Sequence, residues 1–290
     1  MRDMAAVSEV GAPVAAAAAG PAYRIERQRA WSLRELEELW AYRELLYFLV
    51  WRDIKVRYKQ TALGVTWALL QPAATMVVFW VFFGKLAHVS SDGLPYPLFS
   101  LAGLIPWTYF STALAGGSGA LVNNRQLISK VYFPRLLVPL AAVLAPLVDL
   151  AVSFLLVAVL MVWFGAAPRA ALIWLPVFLL LLMAAAAAAS LWLATLQARY
   201  RDVRYLIPFL TQFWLFLTPV VYPSSLVPAR WQALYGLNPL AGVISGVRWA
   251  LLGGPLDARL VAASVVTIGV ALAGGYLYFR RFERTLADIV

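Results

Sequence analysis

The chain has 290 residues, of which 63% are hydrophobic and 13% are charged, and its mean hydropathy is +0.77. Because soluble domains carry about 45–50% apolar and about 25% charged residues, this composition excludes a soluble enzyme and predicts an all-α, polytopic membrane protein. The net charge of +10 lies in short basic segments between apolar runs, so nucleic acid is not an expected partner. Cysteine is absent and His88 is the single histidine, so no metal site is predicted.

The alanine-rich segment 1–30 is predicted to be a disordered leader, since it lacks the apolar periodicity that builds a core. A signal peptide is the alternative interpretation. Asp3 and Glu9 argue against it, because they lie where a basic start and an unbroken apolar stretch are required.

A helix is predicted within residues 31–50, because Ser32 and Glu35 have the spacing of a capping box. Its apolar face comprises Leu33, Leu36, Trp40 and Tyr47. This pattern indicates an amphipathic interface helix that lies along the membrane surface. A helix packed on a protein core is the alternative, but the sequence offers no core nearby.

Six apolar segments have about the length needed to cross roughly 30 Å of hydrocarbon. They are residues 63–83, 97–122, 136–164, 171–197, 205–222 and 260–279. Pro72 removes one backbone donor from the first span, and a neighbouring helix is expected to satisfy the carbonyl that it frees.

The segment 223–254 contains apolar pieces that are too short to cross a membrane and are interrupted by prolines and glycines. A re-entrant hairpin is one interpretation, because broken backbone survives at membrane depth only where protein or a wet cavity surrounds it. A surface loop with two interfacial helices is the other.

Lys and Arg are unequally shared between the two sides of the predicted bundle. Segments 52–59, 123–135, 199–204 and 280–284 are rich in them, and the opposite side has Lys85, Arg169, Arg230, Arg248 and Arg259. The positive-inside rule places the richer side in the cytoplasm, so both termini, including a tail at 285–290, are predicted to be cytoplasmic.

No catalytic or nucleotide-binding motif is found, so no catalytic residue is predicted and any ATP must be used by a partner. Asp149 is the acid that lies well inside a predicted span, either as a proton site or as half of an ion pair with an Arg. The ion pair is favoured, because proton-coupled transporters usually use several such groups.

Aromatic residues are abundant in the first and fifth spans. The two sets are Phe79, Phe82 and Phe83, and Phe213, Trp214 and Phe216. Flat aromatic faces stack on sugar rings, so these residues are candidates for the wall of a channel for a carbohydrate chain. The alternative is that they face lipid or form interfacial belts.

The segment 123–135, NNRQLISKVYFPR, is predicted to be a short basic and aromatic helix between two spans. Its candidate contact residues are Arg125, Lys130, Tyr132, Phe133 and Arg135. They could bind a cytoplasmic protein, or they could anchor the helix ends at lipid headgroups.

Four motifs in order resemble the permease subunit of type-2 ABC exporters. They are WRDIKVRYKQTALGVTWALLQP (51–72), SKVYFPR (129–135), RYRDVRYLIPFLTQFWLFLTPVVYP (199–223) and LNPLAGVISGVRW (237–249). Among these exporters the chain is most similar, over residues 32–284, to those of O-antigen, capsular polysaccharides and teichoic acids.

The resemblance implies a permease domain at 31–284 that forms a homodimer in the inner membrane with two copies of a separate ATP-binding subunit. ATP and magnesium would bind to that subunit. Segments 31–50, 123–135 and 223–254 would be the interface helix, the coupling helix and two gate helices. The cargo would be a lipid-linked polysaccharide, moved through a channel at the dimer interface.

Two alternatives stay open at this point. One is a type-2 ABC exporter of a drug or a lipid. The other is a membrane glycosyltransferase or acyltransferase, whose candidate acids and bases would be His88, Asp92, Asp149 and Asp257. These four residues are scattered over different segments, which disfavours an enzyme.

Overall fold

The computed structural model describes residues 33–59 and 64–283, so the predicted leader and tail lie outside the described residues. The helices are α1 (Leu33–Ala41), α2 (Arg43–Tyr58), α3 (Trp67–Phe79), α4 (Tyr96–Asn123), α5 (Arg125–Lys130), α6 (Leu137–Leu144), α7 (Leu147–Trp163), α8 (Leu175–Arg199), α9 (Val203–Leu217), α10 (Ala229–Tyr235), α11 (Pro239–Leu252) and α12 (Ala258–Glu283). A π-helix at Trp80–Leu86 prolongs α3. No strand occurs within these two ranges, and the prediction of an all-α, polytopic membrane protein is confirmed.

Five of the six predicted spans are helical segments long and apolar enough to cross a membrane. They are Gly64–Leu86, Tyr96–Asn123, Leu137–Trp163, Ala170–Arg199 and Ala258–Glu283. The remaining prediction, residues 205–222, corresponds to α9, which has 15 residues and is about 22 Å long. It ends at Leu217 because Pro219 disfavours helical dihedrals at Thr218, which is extended with φ −107° and ψ 144°.

The centre of the bundle is α4, which packs against α3, α6, α7, α8 and α11. Small residues allow the close approach of helices that membrane bundles require. Gly117 lies against Ser190, and Gly246 lies against the ring of Phe178, both so closely that an added Cβ would collide.

Pro72 interrupts the hydrogen bonding of α3, as the sequence predicts. A proline at this position leaves the carbonyl of Ala68, four residues earlier, without its helical donor. The hydroxyl of Ser153 on α7 lies 2.8 Å from that oxygen and 2.7 Å from the carbonyl oxygen of Asp149, so its single proton is shared between the two acceptors. A neighbouring helix therefore satisfies the freed carbonyl, which confirms the expectation.

The interface helix differs from its prediction in packing and length. The structure has two helices, α1 and α2, and the second continues to Tyr58. Leu49 is buried in an apolar cluster with Ile128 and Phe133, so α2 packs on a core that the sequence did not reveal. Trp40 and Tyr47, predicted on the apolar face, point away from the protein, as aromatic residues at a membrane surface do.

The segment after α9 folds as a helical hairpin of α10 and α11. One end is held where Ser225 donates to Asp92, and the other where Arg169 donates to the carbonyl of Gly253. Between the two helices, Asn238 forms the tip and accepts a hydrogen bond from Ser264, in the second turn of α12. The hairpin thus returns to the end of the bundle from which it starts, which both a re-entrant segment and a loop with two interfacial helices would do.

Candidate functional site

The aromatic residues of the first span lie around the junction between α3 and the π-helix. Phe82 is 58% exposed, whereas Phe79 is half-buried and packs on the core. The rings of Phe79 and Phe83 meet edge to face at 5.7 Å. Because a π-helix has a wider turn than an α-helix, Phe82 faces outward while the other two are partly covered.

The aromatic residues of α9 divide between two faces. Phe213 and Phe216 are exposed, and Phe213 stacks on Phe209 with ring centroids 6.3 Å apart. Trp214 faces inward, where its indole nitrogen donates to Asn238 over 3.1 Å and its ring meets Phe110 edge to face. The structure therefore places Trp214 between α9, α4 and the hairpin tip, away from the exposed surface of α9.

A buried arginine holds the broken end of α9. Arg248 on α11 is 6% exposed, and its guanidinium donates to the carbonyls of Pro219, Val220 and, over 3.1 Å, Phe99. The guanidinium carbon also lies 3.7 Å from the centroid of the Phe99 ring. Gly103 leaves space for this side chain, since a Cβ there would collide with it.

The sequence does not predict that Arg248 holds the end of α9, because the charge comparison places it with the Lys and Arg residues that lie outside the hydrocarbon. A signal was present, since it lies in an apolar segment where a lone charge requires partners. Its partners are backbone carbonyls, which a motif search does not identify.

The predicted coupling segment is helical only over α5, from Arg125 to Lys130, and it is extended from Val131. Tyr132 is 89% exposed, whereas its neighbour Phe133 is 4% exposed and belongs to the cluster that includes Leu49. Arg125 and Lys130 are exposed as well. Of the two aromatic candidates, Tyr132 is thus the one available to a partner.

Arg135 connects the end of this segment to α12, the last helix. Its guanidinium donates to the backbone carbonyl of Glu283 over 3.1 Å. The carboxylate of Glu283 also accepts a hydrogen bond from Arg280. The structure therefore gives Arg135 an anchoring role between the coupling segment and α12.

Asp149, at the start of α7, has the partner that the ion-pair interpretation expects. Its carboxylate accepts hydrogen bonds from Arg57 and from the hydroxyl of Tyr58, both at the end of α2. The side chains of Arg57 and Asp149 are 33% and 27% exposed. This ion pair joins segments that are 92 residues apart in sequence.

The remaining candidates for acid or base chemistry have structural contacts of their own. Asp92 accepts from Ser225, and Asp257 accepts from the backbone nitrogens of Arg259 and Leu260 at the start of α12. Within residues 33–59 and 64–283, no three His, Asp or Glu side chains lie close enough together to hold a metal ion.

The chain matches the family model of the ABC-2 type transporter from residue 44 to residue 252. It is 31% identical over 263 residues to the O-antigen export system permease protein RfbA of Myxococcus xanthus, covering 89% of this chain and 100% of that protein. Identity to a protein of the same name from Klebsiella pneumoniae is 24% over 248 residues, covering 85% of this chain and 95% of that protein. Identity to the polysialic acid transport protein KpsM of Escherichia coli is 26% over 245 residues, covering 82% and 93%.

The family model covers more than half of the chain, and the Myxococcus relative aligns over its whole length. The matched region includes the π-helix, the coupling segment and the hairpin described above. The resemblance found from four sequence motifs is therefore confirmed, and the chain belongs to the ABC-2 type transporter family.

Proposed function

We propose that this chain is the membrane subunit of an ATP-driven exporter that moves a lipid-linked polysaccharide across the inner membrane. The proposal rests on the relatives that match nearly the full length of this chain, because they are named for O-antigen export and polysialic acid transport. The chain would act as a homodimer, with both termini in the cytoplasm. ATP and magnesium would bind to a separate ATP-binding subunit.

The exposed aromatic rings supply a physical basis for moving a sugar polymer. Phe82, Phe213 and Phe216 present flat apolar faces outside the core of the protomer. A moving chain needs many weak contacts that tolerate its changing sequence, because strong hydrogen bonds would hold it in place. In a dimer, α9 and the π-helix that prolongs α3 would line a channel with these rings.

The coupling segment would bind the ATP-binding subunit through Tyr132 and its basic neighbours. An exposed tyrosine combines a large apolar face with a hydroxyl, a combination enriched among residues that dominate protein interfaces. Arg125 and Lys130 would add charge complementarity and speed association.

Replacing Tyr132 with alanine should weaken binding of the ATP-binding subunit by about tenfold, a usual loss for a central interface tyrosine. Affinity measured in detergent with the purified subunits tests this. Trp163→Ala is the matched control, because Trp163 is also highly exposed but lies on α7 at the opposite end of the bundle. If Tyr132→Ala and the unmodified chain bind the ATP-binding subunit with equal affinity, Tyr132 is not part of the docking surface.

A gene deletion tests the cargo. Cells without this chain should lose a surface polysaccharide and accumulate its lipid-linked form inside, and re-expression should restore export. Normal surface polysaccharide in the deletion strain, together with altered drug resistance or lipid distribution, would instead indicate an exporter of a different cargo.

A further inference from the structure

One face of α7 connects three parts of the chain near the ion pair. Asp149 and Ser153 lie one turn apart on this face. Asp149 binds Arg57 and Tyr58 at the end of α2, and Ser153 binds the Ala68 carbonyl that Pro72 frees in α3. The same short stretch of α7 thus fixes the end of the interface helix and the kink of the first span.

The other end of this connection reaches the coupling segment. Leu49 on α2 shares a buried apolar cluster with Ile128 on α5 and Phe133 in the coupling segment. A closely packed cluster of this kind transmits a displacement instead of absorbing it. A movement of the coupling segment would therefore carry α2 with it, and α2 ends at Arg57 and Tyr58.

A pocket that opens to the surface of the protomer adjoins the ion pair. Its volume is about 350 Å³, and it lies between α2, α3, α4 and α7. Its polar lining includes Gln71, Thr108 and Thr112 in addition to Arg57 and Asp149. Helices bordering such a space can shift relative to one another without a clash, whereas a filled interface would resist the shift.

We propose that Arg57, Tyr58 and Asp149 form a latch that passes the movement of the coupling segment through α7 to α3, which carries Phe79 and continues into the π-helix with Phe82. The inference rests on the proposed function, because it requires an ATP-binding subunit that displaces the coupling segment. In this role Arg57 and Asp149 are positioning residues, since they act on the channel wall through α3. Breaking one partner leaves the other charge unpaired in a partly buried position, so each single change opens the latch.

Single substitutions test the latch in the assembled complex. Arg57→Ala and Asp149→Asn should each lower the amount of polymer exported per ATP hydrolysed by about tenfold, within the usual range of coupling between sites. Binding of the ATP-binding subunit and hydrolysis should persist, because Tyr132 and the coupling segment are unchanged. Arg52→Ala is the matched control, since Arg52 lies on the same helix but pairs with its neighbour Asp53.

Exchanging the two charges distinguishes loss of this ion pair from general destabilisation of the chain. The double variant Arg57→Asp with Asp149→Arg restores an ion pair between α2 and α7, and it should recover most of the lost export per ATP. Single variants that keep the export ratio of the unmodified complex would overturn the proposal. Equal losses in Arg52→Ala would overturn it as well, because that change leaves the latch intact.

A second readout is independent of the cargo. The chain has no cysteine, so Phe82→Cys introduces a unique thiol at an exposed position of the π-helix. Its labelling rate with a water-soluble maleimide should change on adding ATP to the complex, and the change should disappear when Arg57→Ala is added. A labelling change that survives Arg57→Ala would overturn the latch. Failure of the proposed function would show differently, as an unmodified complex that responds to ATP in this labelling assay without exporting polysaccharide.

Discussion

Replacing Arg248 with methionine is expected to release the broken end of α9 and to destabilise the folded chain by about 3 kcal/mol or more. The change removes the donors to three buried carbonyls, and each unsatisfied buried group costs about 1–3 kcal/mol. Methionine fills similar space, so the loss would come mainly from hydrogen bonds. The free energy of unfolding of the purified chain in detergent measures the effect.

Two further variants sharpen this experiment. Arg259→Met removes the same charge at an exposed position at the start of α12 and should leave stability nearly unchanged. Arg248→Lys keeps the charge but supplies a single ammonium in place of a forked guanidinium, so it should recover only part of the loss. Equal stability of Arg248→Met and the unmodified chain would show that Arg248 does not hold the end of α9.

The combined replacement of Phe82 and Phe216 with alanine is expected to lower polymer export by about tenfold, which corresponds to about 1.4 kcal/mol. Both rings are exposed on the protomer, so their removal should cost little stability. In the proposed channel they supply faces on which sugar rings slide. Export of labelled polysaccharide by cells or vesicles, normalised to the amount of assembled complex, is the measurement.

Trp174→Ala is the matched control for the aromatic pair. Trp174 is about as exposed as Phe82 but lies in the connection between α7 and α8, far from α3 and α9 in the chain. Its loss should leave export unchanged. Full export by the Phe82 and Phe216 double variant would show that neither ring belongs to the path of the polymer.

The long spans could be predicted from sequence because any helix that crosses the membrane needs about 20 mostly apolar residues, whichever helices it packs against. The need for a donor to the carbonyl freed by Pro72 was also predictable, because hydrocarbon contains no water that could donate instead. Its actual partner, Ser153, was not, because it comes from a helix more than 80 residues away in sequence.

Side-chain exposure was harder to predict than the helices. Tyr132 and Phe133 are neighbours of similar character, yet one is exposed and the other is buried by residues from α2, α6 and α12. Trp214 faces inward because its ring packs against Phe110 and its indole nitrogen donates to Asn238. Such distinctions depend on which helices become neighbours, and local spacing does not contain that information.

ATP-driven export of a polysaccharide by this chain and its ATP-binding subunit can be tested by reconstitution. The chain would be assembled with its ATP-binding subunit in sealed vesicles that carry a lipid-linked polysaccharide on the ATP-accessible side, and appearance of polymer on the other side would be followed. We expect ATP-dependent translocation by the complex, and neither translocation nor ATP hydrolysis by this chain alone. Hydrolysis of ATP by the complex without any movement of polysaccharide, or movement of the polymer without ATP, would contradict ATP-driven polysaccharide export by this chain.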